Sequence, residues 1–259
     1  MELHFQNPGF DYMLEQILAF QDEDASPFWS APLYRFYPQL EPARTLPRPA
    51  RLEAIARELR SVYAAQEQTI HEKTRAYAAH WQRCKPQVTA ALSDAFSLDA
   101  AGLFNDLRVC LSLNPIEPRY LREHRFDLFY LNSPQGAVGA ALHEIIHFLH
   151  FYVWNGLFDD PPDACEAPAL PWLLSEMVVE PIMRDELDQP VFRARKRRLR
   201  LPVFLRYDAR RPPAARYLIR NVPYAAHRRL YAGKLRLSPS ARRRRPRPYP
   251  PRGAGGDVT

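Results

Sequence analysis

The sequence is poor in glycine and cysteine, and it has no long apolar run. Nine Gly stand against 26 Pro in 259 residues, so flexible Gly-rich linkers are not expected. The three cysteines, Cys84, Cys110 and Cys165, are odd in number and widely spaced, which favours free thiols in a reducing compartment. No basic segment followed by an apolar one opens the chain, and no run reaches the length of a membrane span. We therefore expect a cytoplasmic protein without membrane contact.

Acidic residues are nearly missing from the C-terminal quarter. Residues 191–259 carry 21 Lys+Arg and 2 Asp+Glu, a net charge of +19, whereas residues 1–190 carry 15 and 27, a net charge of −12. The overall charge of +7 therefore hides an acidic body and a basic Arg/Pro-rich tail. Three interpretations fit the tail: an arm that contacts nucleic-acid phosphates or an acidic partner, a disordered low-complexity segment, or a frameshift product of GC-rich DNA.

Periodicity predicts an α-rich N-terminal half followed by short strands. Helices are expected over residues 11–24, 51–82 and 86–104, because apolar residues recur there at three- and four-residue intervals. The aromatic and Pro-rich stretch between the first two predicts an irregular connection. Short apolar runs at residues 107–113 and 126–131 are each followed by a turn signal and predict strands.

Two apolar helices are expected after the strands. The first starts at Pro134 and runs to about Trp154, where an Asn-Gly pair is expected to end it. A second helix opens at Pro171, and Pro181 should kink or end it. This order of helices, short strands and further helices predicts an α+β fold.

The most informative stretch is ALHEIIHFLH, which contains the pattern H-E-x-x-H. On a helix, His143 and His147 lie one turn apart on one face, so both imidazoles can reach one ion. Glu144 lies beside that ion and can take a proton from a metal-bound water. The surrounding residues are apolar on nearly every side, which predicts a buried helix. Burying such groups is costly unless they are paired or metal-bound, so a zinc site is favoured over a hydrogen-bonded core cluster.

Zinc needs at least a third protein ligand. His150 shares the face of His143 but lies about 10 Å further along the helix axis, so we assign it to the core or to a supporting role. The stretch SEMVVE offers Glu176 and Glu180, one turn apart on the second apolar helix. One carboxylate is expected to bind the metal and the other to accept a hydrogen bond from a ligand histidine. The alternative is an exposed acidic face.

His143-Glu144-x-x-His147 followed by Glu176-x-x-x-Glu180 resembles the gluzincin group of zinc metallopeptidases. The resemblance covers roughly residues 105–188. It implies a zincin-like fold, a peptide or protein substrate and one Zn²⁺ held by His143, His147 and Glu176. It also implies that Glu144 is the general base and that Glu180 is the hydrogen-bond partner of a ligand histidine.

The resemblance further implies an edge strand and an oxyanion donor. Zincins bind extended substrate along an edge strand, a position that FDLFYL at residues 126–131 fits. A His or Tyr from beyond the Glu helix would donate to the oxyanion. The sequence does not choose among the candidates, which are Tyr207, Tyr217, Tyr224, His227 and Tyr231.

The chain is therefore expected to divide into a helical N-terminal region (1–104), a zincin-like catalytic core (105–190) and the basic tail (191–259). The leading hypothesis is zinc-dependent peptide-bond hydrolysis with Glu144 as general base. The alternative is a non-catalytic zincin-like interaction protein whose tail binds nucleic acid or acidic partners.

Overall fold

The structure is a computed structural model that describes residues 1–21, 27–158, 165–167 and 169–185. Within these residues the fold is helix-rich with one small mixed sheet, which confirms the predicted α+β class. The zincin-like identity stays a prediction. The tail, residues 191–259, lies outside the described residues.

The elements follow one another in the order strand, three helices, three strands and two helices, with two short 3-10 turns between them. The helices are α1 (Phe10–Leu18), α2 (Pro27–Phe36), α3 (Arg48–Phe96), α4 (Pro134–Leu157) and α5 (Leu170–Asp185), and the strands are β1 (Leu3–Gln6), β2 (Leu107–Ser112), β3 (Arg119–Tyr120) and β4 (Arg125–Phe129).

The sheet has the strand order β1-β2-β4-β3. β1, β2 and β4 run parallel, and β3 is antiparallel to β4. The two predicted strands, β2 and β4, are present, and both are buried along most of their length. An interior parallel strand is covered on both faces, which explains why neither stretch alternates between polar and apolar residues. β1 was not predicted from the sequence, and its register places Leu3 opposite Leu107.

The edge position expected for residues 126–131 is wrong, because β4 lies between β2 and β3. Beyond the two residues of β3, the N–H of Asp127 donates to the carbonyl of Pro118 at 2.9 Å. The N–H of Phe129 donates to the carboxylate of Glu117 at 2.8 Å. These partners occupy the N–H groups that an added peptide strand would need, so β4 does not offer a free edge for β-augmentation.

The described residues form two compact units that interleave along the chain. The first contains residues 1–83 and 104–141, and the second contains residues 84–103 and the described part of 142–185. The division predicted from the sequence follows chain order instead, and it stays a prediction. Among the described residues, no helix combines the length and the apolar composition needed to cross a bilayer.

The first unit buries apolar residues from its strands and from the first part of α3. The hydroxyl of Tyr77, a fully buried α3 residue, donates to the carbonyls of Tyr130 and Asn132 at 3.1 and 2.5 Å, which ties α3 to the chain after β4. The fully buried apolar residues of this core include Leu107, Val109, Leu111, Phe126 and Leu128 from the sheet and Ile55, Leu59, Ile70 and Trp81 from α3.

α3 is one helix of 49 residues, where two helices, 51–82 and 86–104, are predicted. Pro86 lies inside it, and its missing N–H removes one backbone hydrogen bond without ending the helix. Buried residues recur at helical spacing on both sides of Pro86, and this packing outweighs the lost bond. The helix ends at Phe96, because Ser97 adopts a left-handed φ of 54°.

The connection predicted to be irregular, residues 26–49, instead contains α2 and a 3-10 helix, Pro38–Thr45. α1 ends at Leu18, and residues 22–24 of the predicted helix lie outside the described residues. The predicted end of α4 is also wrong, and Pro181 does not end α5.

α4 continues through the Asn-Gly pair to Leu157, and α5 continues through Pro181 to Asp185. In both helices the apolar sequence continues beyond the expected break, so packing again overrides a local signal.

Candidate metal centre

α4 begins where its sequence predicts. The Oγ of Ser133 accepts the N–H of Gly136 at 3.0 Å, and Pro134 occupies the first position, where a missing N–H has no consequence. From Ala141 to Phe151 only one side chain, that of His143, is not buried. The motif therefore lies on a helix that is apolar nearly all round, as predicted.

His143, Glu144 and His147 form a group that could hold a metal ion. One ligand-capable atom from each residue lies within 4.8 Å of the other two. The two imidazole rings are 4.7 Å apart between centroids and nearly perpendicular. The Nε2 atom of His143 is 3.9 Å from Oε1 of Glu144. The one-turn spacing of the motif thus brings its three polar side chains together.

Glu176 of α5 reaches the same two histidines. Its Oε2 atom lies 3.5 Å from Nε2 of His143, and its Oε1 atom lies 3.4 Å from Nε2 of His147. The structure therefore brings together four of the five residues that the sequence resemblance singles out, all of them in the second unit. The role of Glu176 as a ligand stays a prediction.

The four side chains differ in their access to solvent. His147 is fully buried and Glu144 is 10% exposed, whereas His143 is 28% and Glu176 is 26% exposed. The group is thus closed around His147 and open on the side of His143 and Glu176. A small molecule or an extended chain would have to approach from that open side.

His150, which the sequence analysis sets outside the ligands, is 1% exposed. Its ring lies 5.1 Å from that of Phe151 and is stacked at 5.7 Å on Trp154, centroid to centroid. It is not part of the group that could hold an ion. Its surroundings are those of a core aromatic side chain.

The side chains of several predicted site residues lie outside the part of the chain that the structure describes. Glu180 belongs to α5, but its side chain lies outside the described residues, so its role beside a ligand histidine stays a prediction. The candidate oxyanion donors also lie outside the described residues; they are Tyr207, Tyr217, Tyr224, His227 and Tyr231.

A second buried acidic group lies in the first unit and was not singled out from the sequence. Asp127 of β4 is completely buried, and the hydroxyl of Tyr12 donates to its Oδ1 atom at 2.6 Å. The signal in the sequence is a lone Asp inside the apolar strand FDLFYL. Its partner cannot be read from the sequence, because Tyr12 lies 115 residues away along the chain.

Comparison of the chain with protein-family models, with curated proteins and with solved structures gave no match. The H-E-x-x-H motif and the geometry around it are therefore the observations from which the activity of this protein is inferred.

Proposed function

We propose that the protein is a zinc-dependent metallopeptidase of gluzincin type that holds one Zn²⁺ with His143, His147 and Glu176. The observation that carries the proposal is the position of the Glu176 carboxylate, whose two oxygens lie 3.5 and 3.4 Å from the Nε2 atoms of His143 and His147. Two imidazoles and one carboxylate are the donor set of many catalytic zinc sites.

The separations support a shared ion better than direct hydrogen bonds. Two ligands on one tetrahedral zinc ion, with bonds of about 2.0–2.2 Å, lie about 3.4 Å from each other. A charged imidazole that donates directly to a carboxylate would lie about 2.7–2.9 Å from it. The distances of Glu176 to both histidines match the first case, and the donor atoms therefore fit a zinc ion.

Each residue of the group has a defined task in peptide hydrolysis. Zinc bound there would lower the pKa of a water molecule and polarise the scissile carbonyl. Glu144, buried next to the histidines, takes the proton of the attacking water and passes it to the leaving amine. His147, with no exposed surface, fixes the site within the protein, and the partly exposed His143 and Glu176 border the side open to the peptide.

Glu144 is suited to the role of base because it is a neighbour of the ligands and not one of them. Its carboxylate lies 3.9 Å from His143, further than that of Glu176. The following residue on a helix points about 100° away from its predecessor, so Glu144 starts to one side of the face that the two histidines share, although its carboxylate reaches their neighbourhood. The proposed substrate is a peptide or a protein. The cytoplasmic location of the enzyme itself stays a prediction.

The test is the zinc content of purified full-length protein, measured by elemental mass spectrometry after dialysis against trace zinc. We expect about one equivalent in the wild type and at least a tenfold weaker affinity in Glu176→Gln. Glu53→Gln is the matched control, because it removes an exposed carboxylate from α3 by the same chemical change. Equal zinc content in wild type and Glu176→Gln would overturn the assignment of the third ligand.

The charge distribution supports a second proposal, a non-catalytic interaction protein. The tail of 21 basic and 2 acidic residues has the composition of an arm that neutralises nucleic-acid phosphates or an acidic protein surface. The two proposals separate on one outcome. A protein that binds zinc through His143, His147 and Glu176 but cleaves no peptide favours the interaction protein.

A further inference from the structure

The sheet of the first unit carries a buried polar cluster that the proposed hydrolysis does not use. Asp127 on β4 lies opposite Cys110 on β2, which in turn lies opposite Gln6 on β1. The amide of Gln6 donates to the Sγ atom of Cys110 at 3.2 Å. The row begins at Gln6 on the edge strand β1. It continues inward to Cys110, which is 1% exposed, and to Asp127, which has no exposed surface.

The carboxyl of Asp127 is only half satisfied. The Tyr12 hydroxyl, from α1, donates to Oδ1 at 2.6 Å. The Oδ2 atom is buried and has no hydrogen-bond partner within the described part of the chain. Arg125, two residues earlier on the same strand, lies instead over the rings of Tyr12 and Tyr120, at 4.9 and 4.1 Å from their centroids.

α1 is held on the sheet partly by this cluster. Besides the Tyr12–Asp127 bond, the Tyr120 hydroxyl donates to the side chain of Gln16, the next turn of α1. The buried apolar residues of the helix are Phe10, Met13 and Ile17. A change in the charge of Asp127 therefore acts directly on a polar bond that holds α1 on the sheet.

Few charged groups face Asp127. Burial raises the pKa values of the Tyr12 and Tyr120 hydroxyls and of the Cys110 thiol, so these groups remain neutral near pH 7. The charges are those of Arg125, which favours the carboxylate, and Glu117, which disfavours it.

Burial is the largest effect on Asp127 itself, and it raises the pKa of this carboxyl from 3.8 to about 7. The hydrogen bond from Tyr12 and the charge of Arg125 act in the opposite direction without cancelling it.

We propose that Asp127 and Tyr12 form a proton-operated switch that controls how tightly α1 packs on the sheet. A protonated carboxyl keeps the bond with Tyr12 and leaves no charge in the interior. An ionised carboxylate places a buried charge on Oδ2, and opening of α1 lets water reach it. Acid therefore favours the closed position of α1, and neutral or alkaline pH favours its opening.

The sign follows from proton binding. In the closed state Asp127 keeps its proton up to about pH 7, whereas in the open state it loses the proton near its ordinary value of 3.8. The closed state therefore binds more protons between these limits, and raising the pH favours the open state. The equilibrium constant for opening is expected to rise about 50-fold between pH 5 and pH 7.

Hydrogen exchange of the full-length protein, read by mass spectrometry on peptides that cover α1, tests this switch. After correction for intrinsic exchange rates, protection of residues 10–18 should fall about 50-fold from pH 5 to pH 7 in the wild type. In Asp127→Asn this pH dependence should vanish. Asp11→Asn removes the exposed neighbouring carboxylate of α1 and should behave like the wild type. The same pH dependence in Asp127→Asn and wild type would overturn the proposal.

A second measurement does not depend on the fold of a variant. In wild-type protein labelled with ¹³C at the Asp side-chain carbonyls, one carboxyl resonance should titrate with a midpoint near 7. Titration of all Asp carboxyls of the folded protein below about pH 5 would equally contradict the switch.

Discussion

Glu176 and Asp127 are carboxylates on apolar elements, and they differ in what lies next to them. Glu176 faces two imidazole nitrogens at 3.5 and 3.4 Å, a separation that leaves room for an ion between them. Asp127 faces a tyrosine hydroxyl at 2.6 Å, which fills the space with a hydrogen bond. An apolar helix or strand around a carboxylate therefore does not by itself mark a metal site. The two acids differ in the donor next to them, in its distance and in their exposure, which is 26% for the side chain of Glu176 and zero for Asp127.

The largest expected effect concerns the group around Glu176. The Glu144→Gln variant should still fold and bind zinc, because the substitution removes neither a proposed ligand nor side-chain volume. Its rate of peptide cleavage should fall about 10²- to 10⁴-fold, because the general base is lost. Cleavage of a mixed peptide library, read by mass spectrometry, measures it. Glu53→Gln should cleave like the wild type, and undiminished cleavage by Glu144→Gln would place the activity elsewhere.

Zinc should stabilise one of the two carboxyl clusters and leave the other unaffected. At a free zinc concentration 100 times the dissociation constant, the free energy of unfolding should rise by about 2.7 kcal/mol, because zinc binds only the folded site. Thermal melts with and without zinc measure the change.

The zinc effect should be lost in His143→Gln and kept in Asp127→Asn. His71→Gln, at an exposed histidine of α3, is the matched control for the first substitution. A zinc effect of wild-type size in His143→Gln would show that the ion binds to other residues.

The smallest expected effect concerns Tyr12. Tyr12→Phe removes the donor to Asp127 and should lower the free energy of unfolding by about 1–3 kcal/mol. While α1 remains mainly closed, the loss should be larger at pH 8 than at pH 5, because the pKa of Asp127 is about 7 and a bond to its ionised form is the stronger one.

Urea unfolding at the two pH values measures this difference. Tyr63→Phe, whose hydroxyl contacts an exposed carboxylate, should change stability by less than about 0.5 kcal/mol at either pH. An equal loss at both pH values in Tyr12→Phe would mean that Asp127 does not change its charge in this range.

The parts of the fold that could be predicted from sequence are those fixed by neighbours along the chain. The H-E-x-x-H spacing on α4 is local, and so are the Ser-Pro start of that helix and the apolar runs that form β2 and β4. The approach of Glu176 to His143 and His147 is not local. This approach was predicted from the resemblance of the sequence to the gluzincin group, in which such a Glu recurs. Helix geometry did not predict it.

The features that were missed depend on partners far away in sequence or on packing that overrides a local signal. β1 has only four residues, and its partner strand starts at Leu107. A break between residues 82 and 86 was expected in α3, and Pro181 was expected to kink or end α5, but apolar packing continues both helices past these points. The edge position expected for β4 was wrong because Glu117 and Pro118 cover it, a contact that no pattern in the sequence indicates.

The pairing of β1 with β2 has a consequence for synthesis on the ribosome. Gln6 and Cys110 are neighbours in the sheet but are separated by 104 residues of chain. At about 5–20 residues per second, roughly 5 to 20 s pass between the translation of the two strands. During that interval β1 has no strand to pair with, and Leu3 remains in contact with water. The parallel sheet therefore forms late, after the whole of α3 has been made.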